Sequence, residues 1–519
     1  MGAPWRQLLV AAACLSASTA ARILAVYSVP AWSHWNVFRP LLWELAERGH
    51  HVTILTSHRE NQPHPNWTVA PIGEHLDLMP GTYIDIFSFG ADKIGMIRRL
   101  MRYGERSCPR LMEEPEVQRL LASPDESFDL LIAELFFNDC LLVLAHKFRV
   151  PIVGTCPFEG APWMDDMVAN PQPPASVPYA LLDYGRLDSL LDRALNAAYG
   201  ALVRAYRRHV YLPAVDAVVK KYVPGAPPLA DLERTTSLVM INWHLSFNRP
   251  RPMLPNVVGY GGMHIKAPKA LPQNIQKFLD DAENGAIYFS LGTNVKSTDM
   301  KNETKLAFAE AFSRLKQRVL WKVDEDELPK QPSNVMTSKW LPQQDILAHK
   351  NVRLFMTHGG LMSIQEAIYH AIPVIGFPVF ADQFHNMNRA EELGFGIKIT
   401  FANISLESIT WAVSEVLETS SYREAVQYRS RLFHDSPRTP LEKAVYWIEY
   451  VIRHKGAQHM RSGALDLSWF QLLLLDVVGA IILVTVILLF SVSVILRLLL
   501  RTIRHVPAVM TKKKVSKRD

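Results

Sequence analysis

Residues 355–367 read FMTHGGLMSIQEA. His358 closes an apolar run, two glycines follow it, and Glu366 stands eight residues beyond the histidine. At a strand-to-helix turn, glycine lets the backbone approach a ligand closely, and the first amides of the helix carry the positive end of its dipole. An anion suits that position. His358 can donate to a phosphate oxygen, Gly360 offers a bare backbone, and Glu366, two turns on, can accept from a pair of hydroxyls. Phosphate beside vicinal hydroxyls points to a nucleotide. A glycine pair also serves plain turn geometry, so the neighbouring residues decide between the two readings. Upstream, WLPQQDILAH (340–349) offers Trp340 as a flat face for a base and Gln343 as a polar group for a ribose edge. Downstream, FPVFADQFHN (377–386) sets Asp382 and Gln383 past the next apolar run, where each can bond sugar hydroxyls.

A second set of residues could move a proton. His34 lies in PAWSHWN, after the first apolar run, and imidazole titrates near neutral pH. A lone loop histidine is otherwise a solvated surface residue. A histidine base needs a carboxylate to fix its tautomer, and AELFFNDC supplies two, Glu134 and Asp139. Asp139 reads alternatively as a helix cap. The triplet Asp324-Glu325-Asp326 has a D-x-D form that suggests metal, yet it sits in a polar, proline-ended loop, KVDEDELPKQP, away from the other residues. We read it as a solvated acidic loop and expect no metal site.

These residues need two α/β series to position them. RILAVYSV (22–29), HVTILTS (51–57), FDLLIAEL (128–135) and VPIVGT (150–155) read as strands, with NVFRPLLWELAERG (36–49) and 139–148 as helices. Helices and loops fill 160–235, broken by NPQPPASVP. The Pro- and Gly-rich stretch 249–272 reads as a linker. GAIYFSLG (285–292), RVLWKV (318–323), VRLFMTH (352–358) and IPVIGFPV (372–379) then read as buried parallel strands. An amphipathic helix at 439–456 could pack back across both halves.

The ends carry topology signals. Residues 1–21 pair Arg6 with an apolar stretch and small residues, the pattern of a secretory signal peptide. Val477–Leu496 is a charge-free run of 20 residues, long enough to span a bilayer. From 497 to 519 there are eight Lys or Arg and one acid, which places the tail on the cytosolic side and the bulk of the chain in a lumen. The remainder, 22–496, holds 47 basic and 49 acidic residues, so no nucleic-acid partner is expected. Cys108, Cys140 and Cys156 permit at most one disulfide. Sequons begin at Asn66, Asn302 and Asn403.

The run from Trp340 to Gln383, with W-x-P-Q, H-G-G, S-x-x-E and D-Q, resembles the donor signature of UDP-glycosyltransferases. The resemblance extends from the signal segment to the basic tail and is similar to the membrane-bound animal enzymes, insect ones in particular. It implies an α/β GT-B fold, two facing Rossmann-like domains plus a C-terminal transmembrane helix. The corresponding spans are 22–260 for the acceptor domain, 261–456 for the UDP-sugar domain with its returning helix, and 457–476 for a juxtamembrane segment. Trp340 would stack on uracil, Glu366 would hold the ribose with Gln343 nearby, and Asp382 with Gln383 would read the sugar. His358, Ser290, Ser363 and Lys322 would serve the diphosphate. The resemblance supports His34 as the base and favours Asp139 over Glu134 as its partner, although the spacing differs by one residue. Met362 stands where many relatives have Asn, which removes one donor to phosphate.

The implied activity is inverting transfer of a sugar, glucose by preference, from a UDP-sugar to a lipophilic alcohol or phenol. The UDP-sugar is a co-substrate, and no cofactor is expected. The implied location is the endoplasmic reticulum membrane, single-pass, with the bilayer as a partner and homo-oligomerisation open. A UDP-glucuronate enzyme and a non-catalytic lumenal binding protein on the same fold are the alternatives.

Overall fold

The computed structural model describes residues 20–73, 76, 93–183, 186–293, 295, 297–323 and 331–505. The signal segment up to residue 19, the Asp324–Asp326 loop and the tail from 506 onward lie outside the described residues. The chain divides into two compact units, one ending at Arg461 and the other beginning at Ser462.

The first unit holds two parallel sheets. Strands β1 (Arg22–Tyr27), β2 (His51–Thr56), β3 (Trp67–Pro71), β4 (Leu130–Glu134), β5 (Ile152–Cys156), β6 (Thr236–Ile241) and β7 (Val257–Gly259) form the first, in the order β3-β2-β1-β4-β5-β6-β7. Strands β8 (Ala286–Ser290), β9 (Arg318–Lys322), β10 (Val335–Ser338), β11 (Val352–Thr357), β12 (Val374–Gly376) and β13 (Gly396–Lys398) form the second, in the order β10-β9-β8-β11-β12-β13. Both faces of each sheet are covered, so the central strands are apolar throughout rather than alternating. In β1, Leu24 and Val26 enter the core on one face, while Ile23, Ala25 and Tyr27 enter the core on the other. In β8, Ile287 and Phe289 point one way and Ala286 and Tyr288 the other.

Strand order reverses between β1 and β4 in one sheet and between β8 and β11 in the other. Ligands of open α/β sheets bind beyond the carboxyl ends of strands at such reversals. His34 and Glu134 follow or end β1 and β4. Ser290 and His358 end or follow β8 and β11.

The helix Pro440–Arg453 packs on the first sheet's side of the molecule. Ala444, Val445, Ile448 and Val451 share a core with Phe38, Leu41, Leu42 and Leu45 of the helix Trp32–Glu47. Arg48 fastens the join by donating to Glu449 at 2.7 and 3.2 Å. A chain returning from the second sheet thus closes over the first.

Two expectations are corrected. The stretch 249–272 contains β7, which pairs with β6 as the edge of the first sheet, because backbone pairing outweighs the local Pro and Gly content. His34 lies in the first turn of the helix Trp32–Glu47 rather than in a loop. Cys108, Cys140 and Cys156 are buried free thiols. Among the sequons, Asn302 and Asn403 are exposed, whereas Asn66 donates its side-chain amide to Ala46 O at 3.2 Å.

The second unit contains the helix Leu475–His505. Its stretch Leu475–Ile503 is long and apolar enough to cross a membrane. It exceeds the 20-residue run because Arg497 and the leucines after it continue the helix.

Candidate active site

A cavity of about 650 Å³ lies in the first unit, lined by residues that follow strands of both sheets. One wall carries His34. Its Nδ1 lies 2.5 Å from Glu134 Oε1. A carboxylate only accepts, so Nδ1 donates to it and Nε2 is the ring nitrogen left for another partner. Glu134 is 1% exposed, and His34 is its only hydrogen-bond partner among the described residues. The His34 ring stands edge-on to Phe136, with centroids 5.1 Å apart.

Asp139, the preferred partner in the sequence reading, is engaged elsewhere. It accepts from Arg207 Nη2 at 2.7 Å and from the Tyr211 hydroxyl at 2.6 Å, and Arg207 also bonds Glu233. This cluster is buried among helices behind the sheet. Asp139 therefore balances a buried guanidinium, and Glu134 holds His34.

The other wall begins at the opening motif. Gly359 adopts φ +83°, where other residues are strained, and Gly360 caps the helix Leu361–Tyr369. The His358 ring sits between glycines. A Cβ on Gly292 would come 2.6 Å from His358 Cε1, and one on Gly360 would come 2.6 Å from His358 Nε2. Burial, aided by the Lys322 charge, lowers the His358 pKa to about 4. At neutral pH the ring is uncharged and offers a neutral N–H donor. Ser290, Lys322 and Ser363 line the same cavity.

Glu366 accepts from two glutamines and faces a buried histidine. Gln343 Nε2 donates to Oε2 at 2.6 Å, Gln344 Nε2 to Oε1 at 3.0 Å, and His264 Nε2 lies 3.2 Å from Oε1. Burial raises the Glu366 pKa, but His264 and the two glutamines outweigh it, so the carboxyl is held below its usual range. The fixed anion keeps lone pairs for ligand hydroxyls. Trp340 presents its ring to the cleft at 68% exposure. Gln343 also donates to Ser363 Oγ at 3.1 Å.

Gln383 Oε1 accepts from the Val379 and Phe380 amides at 2.8 and 3.1 Å, which turns its amide nitrogen into the end available to a ligand. Asp382 accepts from Asn386 Nδ2 at 3.0 Å, and Asn386 also donates to Gly359 O at 3.0 Å. The Asp382–Gln383 turn and the His358–Gly360 loop are thereby locked together. Met362 lines the cavity and packs against the core that contains Tyr260 and Met263, so an apolar residue has a second use there.

Two residues escaped the sequence reading. His264 and Gln344 orient Glu366, and His264 lies in GYGGMHIK, inside the supposed linker. A histidine after a glycine pair was the available signal.

Two facing parallel sheets with a cavity at their paired strand ends define the GT-B fold. Solved structures agree on the fold. A UDP-glucosyltransferase from Polygonum tinctorium, in complex with 3,4-dichloroaniline, aligns with TM-score 0.56 and 17% identity over 84% of this chain and 99% of its own. The calicheamicin glycosyltransferase CalG4 aligns with TM-score 0.56 and 20% identity over the same shares. The family model for UDP-glucoronosyl and UDP-glucosyl transferase matches residues 86–513, and the chain belongs to that family. The chain is similar to UDP-glycosyltransferase UGT5 of Dactylopius coccus, 35% identical over 91% of each chain. It is also similar to UDP-glucuronosyltransferase 2B7 of Homo sapiens, 30% identical over 92% of this chain and 93% of that one.

Proposed function

We propose that the enzyme transfers glucose from UDP-glucose, with inversion, to a hydroxyl of a small lipophilic alcohol or phenol. The observation that carries this reading is the His34–Glu134 pair, at 2.5 Å, on the wall of the cavity that also holds His358 and Glu366. Glu134 fixes the Nδ1–H tautomer and stabilises the imidazolium that forms. His34 Nε2 takes the acceptor proton as that oxygen attacks the anomeric carbon in line with the leaving diphosphate. The new C–O bond forms as the sugar–phosphate bond breaks, giving a β-glycoside and UDP.

Trp340 stacks on the base and Glu366 takes the ribose hydroxyls. The His358 N–H, Ser290, Ser363 and the first amides of the helix Leu361–Tyr369 meet the charge on the leaving UDP, with no metal required. Asp382 and the Gln383 amide hold the sugar hydroxyls. Phe158 and Phe380 line the cavity and suit an apolar acceptor.

Glucose is favoured because Asp382 and Gln383 offer a carboxylate and an amide, which suit neutral hydroxyls, and because Arg39 on the cavity wall is already paired with Glu60. The basic tail supports a single-pass protein of the endoplasmic reticulum membrane with a lumenal cleft.

One experiment tests both parts. Microsomes carrying the protein are assayed with UDP-glucose and UDP-glucuronate against a phenol panel, sealed and after permeabilisation. UDP-glucose should give the higher initial rates, and permeabilisation should raise them. Faster transfer from UDP-glucuronate would reassign the donor, and equal rates in sealed vesicles would reverse the orientation.

A further inference from the structure

The helix Gln383–Glu392 starts at the sugar-reading residues, and residues near the first sheet hold it along its length. Arg249 Nη1 donates to Glu392 Oε1 at 3.0 Å, Arg389 Nε donates to Phe247 O at 2.8 Å, and Asn388 Nδ2 donates to Asp183 Oδ1 at 2.7 Å. One further tie differs in kind. His385 Nε2 lies 2.9 Å from Glu159 Oε1, with the histidine side chain 4% exposed and the carboxylate 16%. Glu159 Oε2 accepts from Asn248 Nδ2 at 2.9 Å. The buried Nδ1 of His385 has no hydrogen-bond partner among the described residues.

An ion pair taken out of water gains little net stability, because desolvation offsets the attraction. The place of this one suggests another use. His385 lies in the first turn of the helix, three residues after Asp382, and Asn386 beside it bonds both Asp382 and Gly359. We propose that His385 and Glu159 are positioning residues for the donor's sugar: their pair fixes the helix start so that Asp382 and Gln383 meet the sugar hydroxyls. This inference rests on the donor reading above.

The charged groups facing His385 come from several elements. Glu159 follows β5, Arg249 follows β6, and Asp382 precedes the helix. Arg251, paired with Asp165, acts on Glu159. Burial lowers the His385 pKa, but Glu159 outweighs it, so the imidazole is held above its ordinary value. Burial also raises the Glu159 pKa, and His385 with Asn248 brings it down to about 2. The pair is therefore present below the ordinary imidazole pKa and is lost as pH rises through the raised one. Burial already raises the Asp382 pKa, and Asn386 and His385 counter it.

Calorimetry on the full chain in detergent tests this with UDP, UDP-glucose and UDP-glucuronate across pH 6 to 10. The readout is the affinity gained by the sugar, the ratio of UDP-sugar to UDP binding for whichever sugar the wild type prefers. His385→Gln should reduce that ratio about tenfold and leave the Kd for UDP within about twofold. It should also abolish the alkaline decline of the ratio expected of the wild type. Glu159→Gln should reduce the ratio likewise. The double variant leaves no lone buried charge, so it should fold even where a single variant does not, and it too should lack the sugar increment. A His385→Gln or double variant with the wild-type ratio and the wild-type alkaline limb overturns this inference alone. A wild type that binds neither UDP-sugar more tightly than UDP overturns the donor reading and this inference with it.

Discussion

At the residue scale, the choice between Glu134 and Asp139 shows what the sequence held and how it could be read. The spacing to the strand was ambiguous by one residue. Strand alternation was not, since Leu130 and Ile132 enter the core shared with the helix that carries His34, while Leu131 and Ala133 enter the opposite core. Glu134 continues the first set and so ends on the side of His34. The two carboxylates should therefore fail differently. Glu134→Gln should lower kcat by about 10²-fold or more with little change in Tm, because tautomer control and imidazolium stabilisation are lost. Asp139→Asn should keep most activity per folded molecule but lower stability by about 2 kcal/mol, since Arg207 loses one of two buried carboxylate partners. Paired kinetics and thermal melts distinguish these outcomes, and the reverse pattern would return Asp139 to the catalytic partner role.

At the scale of elements, legibility followed length. Strands β1, β2, β4, β8, β9, β11 and β12 lie within the apolar runs named from the sequence, and β5 overruns its run by one residue, because burial on both faces demands such runs. Strands β7 and β13 have three residues each and, unlike the equally short β12 inside IPVIGFPV, no longer apolar run around them. Their existence is set by the neighbouring strand rather than by their own composition. The turn between β11 and its helix was legible as a strand-to-helix turn, but one reason for its glycines was not. They make room for the His358 ring. Gly360 has φ −63°, which alanine tolerates, so Gly360→Ala isolates the steric effect. The added methyl should push the imidazole from its place and raise the donor KM about tenfold with a near-normal melt. An unchanged KM would show that the ring position is unimportant for the diphosphate.

At the scale of the whole molecule, the two-sheet plan and the apolar span were readable because each rests on long patterns within one stretch of chain. The seam between the halves was not, because it joins residues far apart in sequence, such as His244 and Phe433, whose rings stack with centroids 4.1 Å apart. That seam carries a measurable pH dependence. Burial, with Lys443 nearby, lowers the His244 pKa to about 4, matching the value for His358. An imidazole in the unfolded chain titrates near 6.5, so from about pH 6.5 down to 4 the unfolded state binds more protons than the folded one. Stability must fall with pH across that window and level off, for these two groups, below it. Glu159, held at about 2, stays ionised in the folded chain and adds to the fall. The raised His385 opposes it at the upper end of the window and the raised Asp165, Asp166, Glu233 and Asp382 oppose it at the acid end, so the two lowered histidines must be isolated by substitution. His58 and His370 are also lowered by burial and add to it. Melts of the full chain in detergent, at constant ionic strength, should show Tm declining from pH 6.5 to 4. His244→Asn should make that decline shallower while lowering Tm at pH 7, because the stacked ring is lost but its proton-linked penalty goes with it. An identical slope in wild type and variant would remove His244 from the acid response and leave His358 as the group to substitute next.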